Sequence, residues 1–164
     1  MRNTCVLLCI AVVLLLSACG YRSSRVEEGM MRFLEAEENL PAGKLYVFQT
    51  EPWMENENKQ NHFATVLYGG GEYPPALEKV YEGAVYLSYL HPYEIAVFCC
   101  KTREATEDIA KLCLSRLESL KGFWKDSDER AIVQNGTVKI VNRYVFLIVS
   151  EDAQQDFSAL KHIF

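Results

Sequence analysis

The chain has 164 residues, nearly half of them hydrophobic, and a formal net charge of −5. That size allows one domain with a core of its own. The acidic balance argues against a nucleic-acid partner and against a polybasic membrane-surface module.

The first stretch is MRNTCVLLCIAVVLLLSACG. Arg2 supplies a positive start, Cys5 to Leu16 run without a charge, and the small residues Ser17 and Ala18 precede Cys19. That order is the pattern of a secretory signal. Thr4 to Ala18 is about 15 residues, or about 22 Å of helix, short of the roughly 30 Å of a hydrocarbon core. Leu16-Ser17-Ala18-Cys19 resembles the lipobox of bacterial lipoproteins. The resemblance implies a diacylglyceryl group on the sulfur of Cys19, cleavage before that residue, and attachment to the extracytoplasmic face of the cell membrane. One acyl chain binds a bilayer only marginally, at about 0.8 kcal/mol per buried CH₂, whereas two anchor durably. The expected division is a signal peptide over 1–18, a tether over 19–24 and a single globular domain over 25–164. Without the signal, 146 residues remain, with a charge near −6.

Arg25 to Asn39 predicts an amphipathic helix with Val26, Met30, Phe33 and Leu34 near one face; Gly29 weakens it and Asn39-Leu40-Pro41 ends it. Lys44 to Gln49 is a short β-prone run, and Glu51 to Asn61 reads as a loop in which Trp53 and Met54 stand out. His62 to Tyr68 is apolar and fits helix or strand. Gly69-Gly70-Gly71 lacks the spaced glycine, Lys and Ser/Thr of a phosphate loop, so it reads as a connection. Pro75 to Glu82 reads as a short helix.

The second half is the more legible. Ala84 to Leu90 reads as a strand, His91-Pro92-Tyr93 as a turn, and Glu94 to Cys100 as a second strand. In that second strand Ile95, Val97 and Cys99 share one face and Ala96, Phe98 and Cys100 the other. Both faces are apolar, which predicts a central strand covered on both sides. Glu104 to Leu120 carries Ile109, Leu112, Cys113, Leu117 and Leu120 at helical spacing, with Thr102 or Thr106 as the cap and Lys121-Gly122 as the stop. Asp126 to Gln134 is a short helix or the lead-in to a strand. Thr137 to Val141 and Tyr144 to Val149 read as strands joined by an Asn142-Arg143 hairpin turn. Ala153 to Ile163 reads as a last helix opened by Glu151-Asp152, with Phe157, Leu160 and Ile163 on one face. The order from residue 84 is therefore β-β-α-β-β-α, an α+β fold in which helices pack on a small antiparallel sheet.

Tyr93-Glu94-Ile95-Ala96-Val97-Phe98, the helix that follows with Arg116-Leu117 near its end, and Arg143-Tyr144-Val145-Phe146-Leu147-Ile148-Val149-Ser150 are together similar to a family of uncharacterised lipoproteins from Gram-positive bacteria. The resemblance covers roughly residues 65 to 164 behind the lipobox. It implies no activity. The chain departs from the family at Asn142-Arg143, where a glycine is expected, and at Cys99-Cys100, where charge is expected.

Little catalytic chemistry is written in the chain. The three histidines, His62, His91 and His162, lack the spacing of zinc ligands, so neither a metal nor a cofactor is expected. Ser88, Ser115 and Ser150 lack a nucleophile-elbow context, and no dinucleotide fingerprint follows a strand. Glu35, Glu37 and Glu38 read as a solvated helix surface. Cys99, Cys100 and Cys113 read as buried thiols rather than a disulfide framework. No catalytic residue is assigned, and Cys19 is the one site residue expected, for lipidation. The expected function is a membrane-anchored, non-catalytic binding or assembly module with an extracytoplasmic protein or cell-wall partner. The alternative is a membrane-surface enzyme acting on wall or peptide substrates, for which the chain offers His91, Glu94 and scattered tyrosines. A cleft that holds His91 beside a shifted carboxyl favours the enzyme, and an apolar patch around Trp53 and Met54 favours the binder.

Overall fold

Glu94–Cys100 combines β-branched and aromatic residues with no polar position after its first, so it can neither face water nor form an amphipathic helix. In the computed structural model, which describes residues 25–49 and 74–164, every residue of this strand is buried. It is the central strand, β3, of a five-stranded antiparallel sheet. The other strands are β1 (Gly43–Gln49), β2 (Val80–Ser88), β4 (Thr137–Val141) and β5 (Tyr144–Val149), in the spatial order β1-β2-β3-β5-β4. The α+β expectation holds.

Each face of the sheet is covered. Val85, Leu87, Ala96, Phe98, Cys100, Val145, Leu147 and Val149 meet α2 (Ala105–Phe123) through Ile109, Cys113 and Leu117, with Val133 of the short α3 (Arg130–Gln134) beside them. Ala84, Tyr86, Ile95, Val97, Cys99, Phe146 and Ile148 face the other way, onto α1 (Arg25–Ala36) and α4 (Ala153–Ile163). The two-residue alternation predicted for β3 thus divides one core into two. A Cβ on Gly29 would collide with the Phe164 ring, so the glycine that weakens α1 on propensity lets the C-terminal residue pack against it.

Several boundaries differ from expectation. Strand β2 begins at Val80 instead of Ala84, because Val80 pairs with Cys100 across a register shift between Val80 and Glu82. The short helix expected over Pro75 to Glu82 shrinks to a 3₁₀ turn, Pro75–Lys79. Helix α2 runs through Gly122 to Phe123, and its N-cap is Glu104, without a side-chain cap bond, rather than Thr102 or Thr106; the Thr102 Oγ1 accepts from the Ala105 N–H at 3.3 Å just ahead of the helix. The Asn142-Arg143 turn forms as expected, with Asn142 at φ 54°, the left-handed region that asparagine tolerates. Asp152 caps α4 by accepting from the Gln155 N–H at 3.0 Å. The segment holding Cys19, Trp53, Met54, His62 and Gly69-Gly70-Gly71 lies outside the described residues.

Cys99, Cys100 and Cys113 are free and buried, and burial pushes the Cys100 thiol up to about 12. They pack as small hydrophobes. Among the described residues no helix is long and apolar enough to cross a membrane.

A buried ion pair is built into this core. Glu94 opens β3 at 2 % exposure. Arg116 reaches it from α2, its Nη2 donating to Oε2 at 2.7 Å and its Nε to Oε1 and Oε2 at 3.2 and 3.1 Å. Burial pushes the Glu94 carboxyl up, and the guanidinium works against that rise. Breaking such a pair on one side strands a buried charge, whereas removing both sides leaves an apolar contact. Arg116→Leu is expected to cost about 3–5 kcal/mol in urea unfolding, and Glu94→Leu combined with Arg116→Leu to recover most of that loss.

Candidate functional site

Three loops converge at one end of the sheet. The register sets Glu94 opposite Val149 and Ser88 opposite Gly43, so the β2–β3 turn, the β5–α4 connection and the α1–β1 connection all lie there. Between them is a cleft of about 460 Å³. Pro92 and Tyr93 come from the first loop, Ser150, Glu151 and Asp152 from the second, and Glu37, Asn39 and Pro41 from the third. His91, Glu129, Ile132, Gln155 and Asp156 complete the lining.

Among the described residues, the lining holds five carboxylates and neither a lysine nor an arginine. Among the described residues, Glu37, Glu151, Asp152 and Asp156 make no ion pair. Asp156 is the most enclosed of them, at 6 % exposure. Burial raises its carboxyl, the Asp152 charge adds to the rise, and the Ser150 hydroxyl offsets part of it. Glu37 is raised by burial and then by the charge of Asp156. The Tyr93 phenol is pushed far up by burial, with Asp156 and Glu37 adding to it, so it stays protonated at physiological pH. Its hydroxyl oxygen is enclosed without a hydrogen-bond partner. Ser150 Oγ is enclosed too; it faces Asp156 yet closes no well-formed hydrogen bond.

His91 and Glu94, the groups the chain offers for the enzymatic alternative, are not brought together. The Nδ1 of His91 lies 2.9 Å from Oε1 of Glu129, on the exposed lip of the cleft. Glu94 is taken up by Arg116 beneath it. Glu37, which reads in sequence as helix surface, instead faces the cleft. Asp156 and Ser150 were not singled out as a pair, although a signal for Asp156 exists. Ala153, Asp156 and Leu160 recur at the 3, 4 spacing of the buried face of α4, and an acid on that face needs a reason. Among the described residues, no three His, Cys, Asp or Glu side chains converge as a metal site. Comparison with protein-family models, curated proteins and solved structures returns no match for this chain.

The cleft can accept hydrogen bonds and positive charge from many directions. Among the described residues, Ser150 faces the Asp156 carboxyl and the His91 ring faces Glu129. An acid raised in the folded state binds its proton more tightly there than in the unfolded chain. Its contribution favours folding below the ordinary carboxylate range and is lost as pH rises through the raised value. The groups that face Asp156 are Glu37, Tyr93, Ser150 and Asp152, with Glu129, Glu151 and His91 around the rim. Asp156→Asn is therefore expected to unfold at a higher temperature than the native chain at about pH 7 and to converge with it towards about pH 4. Thermal unfolding across that pH series checks the sign.

Proposed function

We propose that this chain is a lipid-anchored extracytoplasmic binding module that holds its ligand in the cleft between α1, α4 and the β2–β3 turn. The observation that carries the reading is Asp156: a buried carboxyl without a cationic partner among the described residues, next to two enclosed hydroxyls that make no hydrogen bond. Uncompensated buried polar groups cost stability and persist where they serve a ligand. The tether rests on Leu16-Ser17-Ala18-Cys19, which resembles a lipobox and implies an anchor but no activity.

The direction of the cleft supports a ligand away from the bilayer. Arg25, the residue that follows the tether, lies near Cys99 and Tyr144, which its charge reaches. Those two residues pair at one end of β3, and the cleft is at the Glu94 end. The separation is five residues of strand, about 17 Å at roughly 3.4 Å each. The cleft thus lies at the end of the sheet away from Arg25, which supports wall or protein partners for it.

One observation favours the enzymatic alternative: two raised carboxyls, Glu37 and Asp156, in a cleft that also holds His91. The binding reading is preferred because His91 is engaged by Glu129 rather than by either of them. Hydrolysis of wall fragments by the purified chain, lost in Asp156→Asn, would reverse that preference.

Two substitutions test the reading in cells. Cys19→Ala is expected to abolish fatty-acid labelling and to release the protein or leave it as its precursor. Ile132→Trp, which fills the cleft from α3, is expected to leave the labelling intact and to remove whatever partner or wall fragment crosslinks to the native protein. A crosslinking pattern unchanged by Ile132→Trp would remove the cleft from the proposal.

A further inference from the structure

We infer that the ligand carries a compact organic cation, a primary ammonium group, which enters the cleft between Asp156 and Glu37 and supplies donors to Ser150 and Tyr93. This rests on the reading of the cleft as the ligand site and names the chemistry that site selects. Three observations converge on it. The first is charge: carboxylates from the α1–β1 and β5–α4 connections, from α4 and from the residue before α3 line the space, and among the described residues its one basic side chain, His91, is held at the rim by Glu129. An anion would meet repulsion from the carboxylates on most of the lining. The second is Asp156, which is nearly closed off from water with no counter-cation among the described residues. An arriving ammonium would supply what Arg116 supplies to Glu94 elsewhere in the same fold.

The third observation is independent of charge. Ser150 lies on the cleft wall at 1 % exposure and its Oγ has no hydrogen-bond partner. The Tyr93 hydroxyl is enclosed and unpartnered on the same wall. Each oxygen has lone pairs to offer. A primary ammonium brings three N–H donors on one small, strongly solvated centre. It can serve one carboxylate and two hydroxyls together, which a quaternary ammonium cannot. A divalent ion is held chiefly by converging carboxylates, and among the described residues no three His, Cys, Asp or Glu side chains converge as a metal site.

The test is calorimetric titration of the full-length chain in a non-ionic detergent with cadaverine, tetramethylammonium chloride, magnesium chloride and sodium acetate. Cadaverine is expected to bind saturably, and the other three to bind much more weakly. Hydrogen bonds to charged groups contribute about 1.5–3 kcal/mol, so Asp156→Asn is expected to weaken cadaverine binding about tenfold or more. Ser150→Ala is expected to weaken it about threefold to tenfold, and Lys125→Ala, on the exposed surface after α2, to leave it unchanged. Equal binding of tetramethylammonium, or cadaverine binding unaffected by Asp156→Asn and Ser150→Ala, overturns the inference. If cadaverine fails while a neutral or anionic wall fragment binds and is displaced by Ile132→Trp, the cation is wrong and the site stands. If cadaverine fails and Ile132→Trp changes no crosslink in cells, both readings fall.

Discussion

Strand β3 has no side on which to meet water, and the architecture follows from that constraint. Seven consecutive buried residues demand a cover on each face and a strand on each edge. Helices α2 and α3 supply one cover, α1 and α4 the other, and β2 and β5 supply the edges. The three free cysteines belong to this arrangement as packing atoms, their thiols raised by burial rather than prepared for chemistry.

The same fold treats two buried acids in opposite ways. Glu94 sits where β3 enters the core, and α2 delivers a bidentate guanidinium to it. Its geometry is closed and nothing is left for a ligand. Asp156 sits one layer away, on the inner face of α4, and its neighbours are another acid, a serine and a protonated tyrosine. A stabilising core would place an apolar side chain or a cation there. The contrast supports the proposal of the cleft as a binding site, since such sites give up stability that the scaffold around them keeps.

The position of the cleft has its own physical reason. Backbone groups at a strand end lose their ladder partners, and loops must cover them. Three connections cross the same end of the sheet, so polar side chains gather there while the sheet interior stays apolar. The Tyr86 ring packs edge-on against Tyr93 at 6.1 Å, and its hydroxyl donates to the Pro41 carbonyl at 2.6 Å. These contacts tie two of the three loops to the sheet.

Sequence alone was enough for the central strand, its two-sided burial, the Asn142-Arg143 hairpin, the Asp152-led final helix and the α+β class, because each rests on local periodicity or a local turn preference. It misjudged the start of β2, where a pairing with Cys100 outweighs local propensity, and the end of α2, where Gly122 is carried inside the helix. The site was beyond it. Glu37, Tyr93, Ser150 and Asp156 are spread over 120 positions of chain, and no spacing rule links them. Glu37 looks like helix surface and Asp156 like one more acid until α1 and α4 are laid on the same face of the sheet. Local pattern decides which residues form strands and helices; which charges meet, and which of them meet without a partner, is decided by the packing of elements distant in the chain, because Coulomb and desolvation energies depend on distance in space and not on separation in sequence.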